Sequence, residues 1–216
     1  MDKIENKDNS FRVGLLLIDG FALMSYASVV EPLRAANLLD GRELYRVQNI
    51  PASGKFATSS CGAVLHASGS VGVDTDFDLL FIAAGGDPVA YYDKRAFNWL
   101  RRLSRLGVTL GGVSGGPVIL AAAGLMKGRR MTLHWEHAPA LVESSPSLLV
   151  ERNLYVIDRD RVTCAGGTAP LDLMHALIAE HHGPHLARRA SDWLLHTEIR
   201  PAGGPQRAGR VERYRT

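Results

Sequence analysis

Residues 111–124 read GGVSGGPVILAAAG, and this crowding of glycine around one serine limits the folds open to the chain. An apolar strand over residues 108–113 runs directly into a small-residue helix over residues 115–125. A strand that turns so sharply into a helix needs positions without side chains, because the backbone is strained and the helix passes close to the sheet. Gly111, Gly112, Gly115 and Gly116 supply them, and Gly112, Ser114 and Gly116 together form a G-x-S-x-G. The N-terminus of such a helix aims free N–H groups and partial positive charge at whatever Ser114 carries, which suits an anion or a developing oxyanion.

The rest of the chain repeats this alternation. Residues 11–19, FRVGLLLID, are a near-continuous apolar run of strand length, the kind buried on both faces of a parallel sheet. Helical spacing follows over residues 25–39, with Pro32 inside it and Asp40-Gly41 as the stop. Strands are expected at 44–50, 63–67 and 77–86, the last ending in Gly85-Gly86, and an amphipathic helix at 92–106. Short strands at 129–135 and 154–166, the second a hairpin turning at 158–160, precede helices at 169–182 and 185–196. This order predicts one α/β domain: a doubly wound, mostly parallel sheet with helices on both faces. Ligands of such sheets sit at the carboxyl ends of the strands, where Asp19-Gly20, Gly85-Gly86 and Ser114 all fall.

Composition narrows the partners. At 216 residues and 46% hydrophobic content, the chain can bury its own core. Residues 1–10 are polar and of mixed charge, read as a disordered lead-in rather than a signal peptide. The longest apolar stretch, 118–126, is far short of the roughly 20 residues that span a bilayer, so no membrane partner is expected. Cys61 and Cys164 are too few for a disulfide scaffold and have no metal-ligand spacing, so neither a metal nor another cofactor is expected, and a reducing cytoplasm fits. The formal charge is +3, but seven arginines lie beyond residue 187, against Asp192, Glu198 and Glu212. The body therefore carries 18 basic and 19 acidic residues and has no charge reason to bind phosphate. Residues 199–216, rich in Gly, Pro and Arg, read as a linker.

Ser114 acts as a nucleophile only with a base in reach, usually a histidine held by a carboxylate. A serine hydrolase ordered Ser, then Asp, then His could draw on Asp158, Asp160 or Asp172 and on His181, His182, His185 or His196. Cys164 reads as a small packed hydrophobe and Cys61 as an exposed loop residue.

The segments DGFALMSYASVVEPLRAAN, LLFIAAGGDP and MTLHW, together with the elbow, resemble the PfpI/ThiJ superfamily, relatives of class I glutamine amidotransferase domains with a flavodoxin-like fold. RAAN, AAAGLM-GRR-T-HW and CAGGTAPLDLMHALIAEHHG narrow the resemblance to the sensor domain of GlxA-like regulators of the AraC type, over residues 11–198. Two positions depart from the enzymes of the superfamily. Ser114 stands where they carry a cysteine, and Ser25 where they usually place an acidic residue. A thiolate is reachable near neutral pH beside a helix N-terminus, whereas an unassisted serine hydroxyl is scarcely ionised. The resemblance thus implies a binding pocket rather than a catalytic site, lined by Gly20, Phe21, Ser25, Glu31, Gly85, Gly86, Ser114, Gly115, His134 and Trp135. Glu31 reads equally as a pocket or a surface residue, and His134 as a ligand donor or a structural histidine. The resemblance also implies a small-metabolite effector, a quaternary amine such as betaine or carnitine in some relatives, with Trp135 near Glu31 suiting a cation. It further implies a homodimer, and DNA contact only through a C-terminal helix-turn-helix domain absent from this chain.

Overall fold

A computed structural model describes residues 10–208. Its central sheet holds six strands in the order β2 (Tyr45–Pro51), β1 (Phe11–Leu17), β5 (Leu79–Ala84), β6 (Thr109–Ser114), β10 (Arg161–Cys164) and β9 (Tyr155–Asp158). The first five are parallel, and β9 pairs antiparallel with β10 at one edge. Two small pairs lie outside it: β3 (Phe56–Thr58) antiparallel with β4 (Val64–His66), and β7 (Arg130–Met131) parallel with β8 (Leu149–Val150). Strand order reverses between β1 and β5, which places the ligand crevice of a doubly wound sheet above their carboxyl ends.

Alternation along the strands builds two cores. Val13, Leu15 and Leu17 of β1 and Leu79, Phe81 and Ala83 of β5 point to one face, where they meet α1 (Leu23–Asp40), α5 (Ala169–His182) and α6 (Pro184–Trp193). Leu16, Leu80, Ile82 and Ala84 point to the other, against α2 (Lys94–Arg105) and α3 (Gly116–Ala122), with Leu141 of α4 (Ala138–Ser144) added at the margin. Each large side chain so buried contributes on the order of 2 kcal/mol before conformational entropy is subtracted.

Local chemistry sets the element ends. Gly41, left-handed at φ +77, caps α1, and the Asn37 side chain then holds the turn into β2, accepting from the Leu44 and Tyr45 amides and donating to the Tyr45 carbonyl. Asp93 caps α2 by accepting from the amides of Arg95 and Ala96. Pro32 sits buried inside α1, facing the Leu171, His175 and Ile178 side of α5, without ending the helix. Arg161 is buried and donates to the Leu125 carbonyl, to Asp160 and to Ser104 Oγ, fastening β10 to the helices on the second face.

Several expectations shift. The strand expected over 129–135 pairs only at Arg130 and Met131, and the remainder turns toward the site. Strand β3 and helix α4 were not expected, and the last helix ends at Trp193 rather than 196. The lead-in falls almost wholly outside the described residues, as does the end of the tail. Residues 199–208, read from composition as linker, pack against the body. Buried Asp172 accepts from His196 Nε2 (2.9 Å), from the Arg200 amide (2.8 Å) and from the Arg200 guanidinium (2.9 and 2.7 Å), and the Leu154 amide donates to the Ala202 carbonyl. Burying a carboxylate is costly unless such partners surround it, and these contacts dock a segment whose composition reads as a free linker. No helix among the described residues is long and apolar enough to cross a membrane.

The glycines around α3 are where close approach is absolute. A Cβ on Gly116 would lie 2.0 Å from the Ile82 carbonyl oxygen, whereas one on Gly107, at φ +86, would meet nothing within 4 Å. Gly116→Ala is expected to cost about 3 kcal/mol of stability through overpacking, and Gly107→Ala about 1–2 kcal/mol through left-handed backbone strain alone. Urea unfolding of the two variants measures the difference.

Candidate functional site

Three strand ends and two glycine turns converge on Ser114. Gly85, after β5, approaches the β1 turn so closely that a Cβ on it would sit 2.5 Å from the Gly20 carbonyl oxygen. Gly20 itself is left-handed at φ +81, as is Gly86 at φ +60. Behind the elbow, Gly166 leaves room where a Cβ would lie 2.7 Å from Ser114 Cβ and 2.9 Å from Ser25 Oγ, and the Gly167 amide donates to Ser25 Oγ at 2.9 Å. Ser25, Ser114 and the Gly166-Gly167 turn therefore form one tight cluster at the N-terminus of α1.

Ser114 is 7% exposed and left-handed at φ +59, a conformation a non-glycine residue holds only when its surroundings impose it. The surroundings are visible: the His134 amide donates to the Ser114 carbonyl at 3.1 Å, and the Gly115 amide donates to the Ala84 carbonyl at 3.0 Å. The second bond has a chemical consequence. In an elbow hydrolase the amide after the nucleophile stabilises the oxyanion, and here that N–H is already used by the sheet. Nor does any hydrogen bond join Ser114 Oγ to a histidine or carboxylate among the described residues. The Asp172–His196 pair, one of the acid–base pairs the sequence offered, does form, but it serves Arg200.

His134 and Trp135 form the rim. The His134 ring stands 5.2 Å from the Trp135 ring and 5.8 Å from that of His137, which lies in the field of Asp87 on the β5 loop. Burial, and the neighbouring His137 in the case of His134, lower the pKa of both imidazoles, so both are neutral at pH 7. The Glu136 amide approaches His134 Nδ1 at 3.4 Å, leaving Nε2 to carry the proton. Trp135 is 42% exposed, with the Arg207 guanidinium 4.2 Å from its ring centroid. It opens onto a cavity of about 1000 Å³ between α4, β8 and residues 205–208.

Of the residues singled out in the sequence, Gly20, Ser25, Gly85, Ser114, Gly115 and the His134 backbone are brought into contact around the elbow. Gly86 continues its Gly85 turn. Phe21 and Glu31 stand elsewhere: the Phe21 ring is fully buried against Tyr26, and the Glu31 carboxylate pairs with Arg34 at 2.7 Å on a half-exposed stretch of α1. The expected meeting of Trp135 with Glu31 is replaced by the contact with Arg207, a cation contributed by the chain itself. His137, the Gly166-Gly167 turn and Arg207 were overlooked. A signal existed for the turn in CAGGTAP, but none for a side chain arriving from 72 residues further along the chain. Cys164 is buried, its thiol pushed up to about 12, and Cys61 is exposed. No cluster that could hold a metal ion occurs among the described residues.

A flavodoxin-like sheet with a serine elbow between β6 and α3 defines the class, and residues 11–180 match the model of the DJ-1/PfpI family. The chain belongs to that family. It is 47% identical over 209 residues to the HTH-type transcriptional regulator GlxA of Rhizobium meliloti (strain 1021), covering 96% of this chain and 64% of that protein. It is 45% identical to the HTH-type transcriptional regulator CdhR of Pseudomonas aeruginosa, covering 92% and 59%. The chain thus spans about three fifths of these curated relatives. Among solved structures, an AraC family transcriptional regulator from Pseudomonas putida superposes with a TM-score of 0.77 at 25% identity, covering 85% of this chain and 99% of that one. Drosophila melanogaster DJ-1beta shares the fold at a TM-score of 0.71 and 18% identity, over 86% of this chain and 98% of that one.

Two outcomes follow. Glycine relieves left-handed strain and alanine does not, so Ser114→Gly is expected to be more stable than Ser114→Ala by about 1 kcal/mol in urea unfolding. As pH falls through about 6.5, the unfolded chain takes up the His134 and His137 protons before the folded one does. Stability therefore drops below that pH and levels off under the lowered folded values. Replacing both histidines with glutamine should flatten this part of the stability–pH curve; an unchanged slope would contradict the neutral-imidazole assignment.

Proposed function

We propose that this chain is the effector-sensing and dimerising part of an AraC-type transcription regulator, a catalytically inactive relative of the DJ-1/PfpI enzymes. One observation carries the reading: at the position of the nucleophile stands a strained serine with no base, next to an amide that is already hydrogen-bonded. An elbow that keeps its geometry without its chemistry is suited to recognise rather than convert. The likeness to GlxA and CdhR along nearly the whole chain supports the regulatory role. The cluster of Ser25, Ser114 and the Gly166-Gly167 turn, with the nearby Gly85 turn and the His134–Trp135 rim, is the proposed effector site, and a small metabolite the proposed ligand. An exposed tryptophan already facing a cation favours an amine or quaternary amine. DNA would be bound by a further domain of the kind the longer relatives are named for, in the cytoplasm and as a homodimer.

Ser114→Asn tests the site without upsetting the elbow, since asparagine accepts left-handed backbone while filling space beside Ser25. A metabolite found by thermal-shift screening should bind this variant at least about tenfold more weakly, the loss of roughly 1.4 kcal/mol, in calorimetry. Unchanged affinity would remove Ser114 from the site, and turnover of an activated ester that is lost in Ser114→Ala would overturn the non-enzymatic reading.

A further inference from the structure

The cavity onto which Trp135 opens is lined on one side by residues 205–208. Gln206 anchors that segment: its Nε2, with two hydrogens to give, lies 3.1 Å from the Leu133 carbonyl, 2.8 Å from the Asn153 carbonyl and 3.1 Å from Thr132 Oγ1. The two carbonyls are pure acceptors, so the amide orientation is fixed and Gln206 Oε1 is left buried without a partner. Docking is thus held by one end of an amide and penalised at the other, the balance expected of a contact that can release. The next residue, Arg207, lays its guanidinium over Trp135. Arg207 enters no ion pair among the described residues, although Glu136 and Glu143 line the same cavity. What holds its head group is the aromatic face.

We propose that the cavity at Trp135 is a binding site for organic cations that Arg207 occupies from within the chain, and that a ligand entering it displaces Arg207 and frees residues 205–208. The ligand class follows from the resident. A flat, weakly hydrated guanidinium is what the ring now holds, and the lining carries three carboxylates, Glu136, Glu143 and Glu151, against Arg152 and Arg207. Glu151 is engaged by Arg130 and Asn153, whereas Glu136, whose carboxylate lies 3.8 Å from His134 Nδ1, and Glu143 pair with no lysine or arginine among the described residues. Displacement acts on the course of the chain, because His134 and Trp135 join the elbow, through the Ser114 carbonyl, to the segment leaving the body. The regulatory meaning of that release rests on the sensor reading, while the cation site and the strap across it do not.

The test uses the whole chain, methylguanidinium chloride as probe and sodium chloride of equal ionic strength as control. Backbone heteronuclear Overhauser effects at the amide nitrogens of residues 206–208, which report the mobility of the segment, and calorimetric affinity are read on wild type, Arg207→Gln and Trp135→Leu. Trp135 lies outside both cores, so its replacement leaves the fold, and a melting curve checks this. Methylguanidinium, but not sodium, is expected to lower the Overhauser values in the segment. Arg207→Gln should bind the probe about three- to tenfold more tightly, having lost its internal competitor. Trp135→Leu should lose probe binding and show the lowered values at Arg207 and Ala208 with no ligand present. Equal affinity in wild type and Arg207→Gln, or a segment that keeps the wild-type values in Trp135→Leu, would overturn the proposal. The sensor reading is tested apart from it, by metabolite affinity in Ser114→Asn and by ester turnover, neither of which reads Arg207 or the segment that carries it.

Discussion

The approach of α3 to the sheet is the constraint on which the rest of the molecule turns. Gly116 lies against the Ile82 carbonyl, and Gly112 leaves space that the Gly116-Pro117 backbone fills: a Cβ there would stand 2.5 Å from the Pro117 nitrogen. With helix and strand that close, the backbone joining them has one path, and it takes Ser114 through a left-handed turn. The same path delivers the Gly115 amide to the Ala84 carbonyl and the Ser114 carbonyl to the His134 amide. The elbow is thereby part of the sheet's hydrogen-bonding scheme, and its rigidity does not depend on any chemistry performed there.

Side-chain identity then sets the elbow of this chain apart from one that carries a cysteine. A cysteine at such a helix N-terminus would gain thiolate character from the dipole, and a carboxylate nearby would direct its proton. Serine in the same place, with a second serine as its neighbour, has no ionised form within reach of neutral pH. The site consequently offers hydroxyls, neutral imidazoles and an aromatic edge, a set that recognises by hydrogen bonds and by the face of a ring.

Much of the architecture can be read directly along the chain. Strands buried on both faces need unbroken apolar runs, and β1, β5 and β6 have them. Gly41 and Asp93 mark helix ends through single-residue preferences that act locally. Strand β3 and helix α4 carry weak signals, because three residues of strand and two turns of helix are stabilised by what they pack on rather than by their own sequence. The docked segment at 199–208 misleads in the opposite sense. Its glycines and prolines describe a flexible chain, and contacts with distant residues override them: Arg200 and His196 with the buried Asp172, the Ala202 carbonyl with the Leu154 amide, and Gln206 with the carbonyls of Leu133 and Asn153.

At the site the division is the same. The order of residues dictates the strand-to-helix turn at Ser114 and the doubly wound sheet whose strand ends gather there. Those properties follow from periodicity and from the steric needs of glycine, which act over a few residues. The tertiary structure alone decides that the amide of Gly115 is spent on Ala84, that Asp172 and His196 form a pair which serves the tail, and that Trp135 faces Arg207 instead of Glu31. Each of these is a contact between segments far apart in the chain, and hydrogen bonds and cation–π contacts hold only at distances that folding, not sequence spacing, sets.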